Sequence, residues 1–102
     1  MKIIKCIAEK IQEELDDADA YIELAVSWRD EQPDAADVFY ELSIEEMGHV
    51  DKLHEVVTTL ISNYRQKNGE PPKEMMTLWN YLHEKHIADA MKIRVKQGMF
   101  NG

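Results

Sequence analysis

The sequence predicts an all-α fold: a long antiparallel helical hairpin followed by a third helix. Three observations predict it. Apolar residues recur at alternating steps of three and four along two long segments. All three prolines, Pro33, Pro71 and Pro72, fall between the periodic segments. No strand-like alternation, glycine-rich phosphate loop or low-complexity tract appears. A chain of 102 residues is expected to form one domain spanning 1–102.

The first helix is expected over about 3–30, closing in the Asp30-Glu31-Gln32-Pro33 stretch. Pro33 suits the first turn of the second helix, and Asp34 and Asp37 favour its positive end. That helix is expected over about 34–67, with Arg65 and Lys67 complementing its C-terminal dipole and Asn68-Gly69 stopping it. Glu70-Pro71-Pro72 breaks the chain, and a third helix is expected over about 72–97, capped at Gly98. The first two helices are about 28 and 34 residues long, roughly 40 to 50 Å. Their short connection makes them antiparallel neighbours.

Composition narrows the function. Hydrophobic residues make up 44% and charged residues 31%, which fits a globular helical chain and not a disordered one. The net charge of -8 argues against nucleic acid and anionic membranes as partners and is compatible with attracting cations. The single cysteine, Cys6, cannot form an internal disulfide, so a reducing, cytoplasmic setting is expected. The apolar run at Ile3 and Ile4 stops at Lys5, so neither a signal peptide nor a membrane span is expected. So short a chain has a small core, and oligomerisation is a common remedy.

The seams of the two long helices carry groups that do not belong in an apolar interface. The first reads Ile4, Ile7, Ile11, Glu14, Ala18, Tyr21, Ala25, Trp28. The second reads Phe39, Leu42, Glu46, His49, Leu53, Val56, Leu60. The third is less regular: Met75, Trp79, Leu82, His86, Ala90, Ile93. An unpaired carboxylate in a helix interface is costly, and a metal ion removes the cost. Glu46 and His49 form a Glu-x-x-His element, so both project from one helical face. Counted from the turn, Glu14 and Glu46 reach similar heights, and Ala18 leaves room where leucine would block a metal cluster. The bland alternative is a polar pair that fixes register in a bundle without metal.

Other candidates carry less. Tyr21 reads either as core or as a hydrogen-bond partner of a site carboxylate. Glu45, Glu13, Asp16 and Asp17 read as solvated neighbours, and His54 as an exposed residue off the seam. His83 and His86 read as surface or satisfied histidines; the alternative is that they complete a metal site within one chain.

The Glu14-x6-Tyr21 pattern, followed by Glu45-Glu46-Met47-Gly48-His49, resembles the ferritin-like superfamily. The stretches EELDDADAYIELA and YELSIEEMGHVDKLHEVV are similar to the first half of a rubrerythrin di-iron domain. The resemblance covers about residues 7–65 and implies that Glu14, Glu46 and His49 are iron ligands, with Tyr21 close to the metal. One chain holds a single ligand set, an arrangement that resembles the encapsulated ferritins, whose di-iron site forms between two subunits. The resemblance therefore implies a homodimer, or a higher even-numbered oligomer, closing into a ferritin-like four-helix bundle. It implies Glu14, Glu46, His49 and Tyr21 as the reactive set of a ferroxidase-type oxidoreductase, acting on ferrous iron with dioxygen or peroxide in iron storage or oxidative-stress protection. Manganese or zinc are the other metals expected. The tail Gln97–Gly102 does not look like a cargo peptide, so a surrounding protein shell or compartment stays an alternative. A helical interaction module without metal, or a redox-inactive zinc- or manganese-binding bundle, are the competing functional readings.

Overall fold

Prolines and one glycine set the helix boundaries. In the computed structural model, which describes residues 1–101, α1 spans Lys2–Trp28, α2 Pro33–Asn68 and α3 Lys73–Asn101. Pro33 occupies the first turn of α2, where its missing N–H costs nothing. Gly69 ends α2 at a φ of 79°, a left-handed conformation that favours glycine, and its N–H donates to the Arg65 carbonyl at 3.1 Å. The Pro72 carbonyl accepts the Met76 N–H at 3.1 Å and so opens α3. The molecule measures 56 × 20 × 18 Å, and its long axis is the length of α2, roughly 54 Å for 36 residues.

The expected cap at Gly98 is corrected: α3 runs on to Asn101. Tertiary contacts carry it through the glycine. Phe100 stacks on Tyr40 with ring centroids 4.9 Å apart, and the Asn101 amide donates to the Tyr40 hydroxyl at 2.7 Å. The Arg29 guanidinium donates to the Phe100 carbonyl at 3.2 Å, satisfying a group left free at the helix end.

α1 packs extensively on α2, and the buried rows differ from the expected seams. On α1 the buried residues are Ile4, Ala8, Ile11, Leu15, Ala18, Ile22 and Ala25. Ile4, Ile11, Ala18 and Ala25 lie where expected, but Ala8, Leu15 and Ile22 replace Ile7, Glu14 and Tyr21, which sit half-buried at the edge. Trp28 is exposed. On α2 the buried row is Ala36, Ser43, Met47, Val50, Val57 and Ile61, one residue round from the expected row. The cause is α3, which covers one flank of the hairpin and draws the buried arc of both helices towards itself. The residues of the expected rows that are not buried form the opposite, uncovered flank.

α3 lies mainly along α1. Lys96 reaches Asp19 at 2.7 Å and Glu23 at 2.6 Å, and Gln12 donates to Asp89 at 3.3 Å. Its buried face is Trp79, His86, Ile93 and Gln97, with Met75, Leu82 and Ala90 half-buried beside them, in line with the expected third seam. One polar chain joins all three helices inside the core. The Gln97 amide donates to the Ser43 hydroxyl at 2.9 Å, which donates to the Ala18 carbonyl at 2.7 Å. The outer face of α3 is also apolar, with Tyr81, Met91, Val95 and Met99 well exposed. Among the described residues no helix is long and apolar enough to cross a membrane.

Candidate metal centre

Glu14 leaves α1 beside the buried Ile11 and Leu15, at the edge of the hairpin that α3 does not cover. Glu46 and His49 leave α2 on that same flank, one helical turn apart. Antiparallel packing brings the three to one level, and one ligand atom from each lies within 4.8 Å of the other two. His49 Nδ1 is 3.5 Å from Glu14 Oε2 and 3.8 Å from Glu46 Oε1. The side chains of Glu14 and Glu46 are only 13% and 17% exposed, whereas that of His49 is 55% exposed. The carboxylates therefore form the floor of the group and the imidazole its rim.

The group is short of positive charge. Lys10 approaches Glu14 Oε1 only to 3.8 Å, while it hydrogen-bonds Glu13 at 3.2 Å. That bond to Glu13, with Glu13 and Glu14 nearby, raises the Lys10 pKa above its ordinary value. Glu46 Oε2 is buried and has no hydrogen-bond partner. Buried carboxylate oxygens are normally satisfied, so this one points to a missing cation or donor. Two carboxylates and one imidazole suit iron, manganese or zinc.

The remaining candidates fall in different places. Tyr21 is half-buried two turns along the same flank of α1, and among the described residues no hydrogen bond joins its hydroxyl to Glu14 or Glu46. The room beside Ala18 is taken by Ser43, whose hydroxyl reaches the Ala18 carbonyl. Glu45, Glu13, Asp16 and Asp17 are exposed, as expected of solvated neighbours. His83 and His86 do not join Glu14, Glu46 and His49. They sit on the α3 flank, where His83 meets His54. His54 is accordingly half-buried and not exposed as expected. It lies one turn after Val50 on the observed buried row, which is one residue round from the expected seam, so the seam gave no signal for it.

Comparison with protein-family models, with curated proteins and with solved structures finds no match to this chain.

Proposed function

We propose that two copies of this chain pair through the uncovered flank of the hairpin and hold a di-iron carboxylate centre of the ferritin-like kind. The observation that carries the reading is Glu46 Oε2, buried without a partner beside Glu14 and His49 on a flank that is otherwise apolar. A twofold axis through that flank makes an isologous interface, in which each ligand set faces its own copy. The pair then offers four glutamates and two histidines, the donor set of di-metal bundles. The resemblance of residues 7–65 to ferritin-like sequences supports the same reading.

Glu46, with one buried oxygen unpartnered, would hold metal from α2. Glu14 from α1 and the rim imidazole of His49 would complete the ligand set. Bound iron would supply one-electron redox chemistry towards dioxygen or peroxide. With ferrous iron as substrate and peroxide as oxidant, two ferrous ions, one peroxide and two protons give two ferric ions and two waters. Glu13, Asp16 and Asp17, exposed on α1 near Glu14, favour the approach of cations. Tyr21, half-buried along the same flank, would tune rate and not hold metal.

The position of His49 between both carboxylates favours a second reading. An imidazole N–H there can donate to a carboxylate itself, and the flank is then a protein-pairing surface without metal. A redox-inactive zinc or manganese ion on the same ligands is the intermediate case.

Ferrous oxidation followed by ferric absorbance, under oxygen and under peroxide, separates the three. The wild type should oxidise iron faster than buffer, and Glu46→Ala should abolish both that rate and paired metal binding. A wild type no faster than buffer that still binds zinc or manganese leaves the redox-inactive centre. One that binds neither leaves the pairing module.

A further inference from the structure

On the uncovered flank the α2 row reads the same from both ends. Phe39, Leu42, Glu46, His49, Leu53 and Val56 recur at alternating steps of three and four, so they are spaced symmetrically about the point midway between Glu46 and His49. A twofold axis crossing α2 at that point lays the helix antiparallel on its own copy. Leu42 then meets Leu53 of the second copy, Phe39 meets Val56, and the pair of Glu46 and His49 meets itself. Antiparallel pairing also sets opposite ends of the two helix dipoles side by side.

The charges beside the row fit that register. Glu45 and Lys52 are both exposed, on the side of the row away from the buried Ser43, Val50 and Val57. Among the described residues neither makes an ion pair. Under the crosswise axis Glu45 lies about 3 Å, measured along the helix, from Lys52 of the second copy, well inside the reach of the two side chains. Symmetry makes the contact twice. Val38, 52% exposed, comes to the level of Thr59 of the second copy by the same count. There Lys52, Val56, Thr59 and Leu60 line an open recess of about 400 Å³ that can receive it. The other axis open to this flank runs along the hairpin and lays α1 of one copy on α2 of the other. The hydrogen bond from Ser43 to Ala18 fixes the levels of the two helices. Counted from it, Lys10 and Lys52 come to one level, and so do Asp17 and Glu45, each to within about 1.5 Å. That axis sets like charges against each other.

We infer that Glu45 and Lys52 are reciprocal recognition residues. Glu45 of each copy pairs with Lys52 of the other, and the two ion pairs fix the antiparallel register in which the carboxylate groups meet. The partner that this surface selects is a second copy of the same chain. This alignment rests on the shared centre proposed above and adds how the two copies find their places. Ion pairs at an interface rim contribute little affinity, but they oppose a register that brings like charges together.

The test makes Glu45→Lys and Lys52→Glu in the full chain, singly and together. Pairing is measured by native mass spectrometry and sedimentation equilibrium, with and without manganese(II). Each single variant turns two attractive contacts into two repulsive ones, so its pairing should weaken about tenfold or more at low salt, with helix content by circular dichroism unchanged. The double variant should recover wild-type pairing. An equimolar mixture of the two single variants should form mixed pairs in preference to self-pairs, because a chain with two lysines at these positions then meets a chain with two glutamates. Added salt should narrow all of these differences. A wild type that pairs, with single variants that pair as tightly or a mixture that shows no preference for mixed pairs, overturns this register and leaves the shared centre standing. A wild type that stays monomeric with and without manganese(II) overturns the pairing itself.

Discussion

One oxygen of Glu46 is buried without a partner, and that has a measurable thermodynamic consequence. An unsatisfied buried polar atom costs about 1–3 kcal/mol relative to a satisfied one. In metal-free protein Glu46→Leu should therefore raise the urea midpoint, by the equivalent of about 1–3 kcal/mol at constant m-value. With iron or manganese present the order should reverse, because only the wild type gains by mass action on the folded state. Lower stability of Glu46→Leu in metal-free buffer would mean that the carboxylate already has its partner in the apo protein. Glu46, with Glu14 and His49, was legible in the sequence because charged groups at apolar spacing break the pattern around them. Ser43 and Gln97 were not. Small and amide side chains occur freely on helix surfaces, so nothing in their spacing announces that they bond each other across two helices.

At the scale of the elements, α3 is held by polar contacts as much as by apolar ones. Ser43 is fully buried and both donates to Ala18 and accepts from Gln97. Ser43→Ala leaves the Gln97 amide buried without its acceptor, so a loss of about 1–3 kcal/mol is expected in chemical denaturation. Pairing Ser43→Ala with Gln97→Met should recover part of that loss, because both polar partners are then gone. Asp89 adds a pH dependence. Burial works against its charged form, but hydrogen bonds from Lys85 and Gln12 outweigh that and hold its carboxyl below the ordinary 3.8. A folded pKa below the unfolded one gives stability that is present above about pH 4 and lost as pH falls through the folded value. Asp89→Asn should flatten the acid limb of the melting-temperature profile below about pH 4 and leave the profile from pH 6 to 8 parallel to wild type. An unchanged acid limb would show that Asp89 is as well solvated when folded as when unfolded. The helix ends set by proline and by Gly69 were legible, since these residues restrict the backbone directly. The run of α3 through Gly98 was not, because the contacts of Phe100 and Asn101 with Tyr40 that sustain it come from a helix more than fifty residues away.

For the whole molecule, the question is which of two apolar faces is covered in solution. The hairpin flank carries Phe39, Leu42, Leu53 and Leu60 half-buried and Val56 45% exposed, around the Glu14, Glu46 and His49 group. The outer face of α3 carries Met91, 64% exposed, with Val95 and Met99. The sequence could not separate these faces. Each long helix carries two neighbouring rows at bundle spacing, and only the position of α3 shows which row is left open. The proposed shared centre selects the hairpin flank, and paired substitutions test that choice. Val56→Glu places a charge on a residue already half exposed, so the helices of a single chain should tolerate it. Across a twofold interface the same charge is desolvated and should prevent pairing. Met91→Glu on α3 is the control and should leave pairing intact. Native mass spectrometry should find the wild type and Met91→Glu in even-numbered assemblies with about two irons per pair, and their melting temperature should rise with protein concentration. Val56→Glu should be a monomer of unchanged helix content that no longer holds paired iron. A wild-type monomer retaining two tightly bound irons would overturn the shared centre. Dissociation by Met91→Glu instead of Val56→Glu would move the interface to α3 and leave Glu14, Glu46 and His49 as a mononuclear site open to solvent.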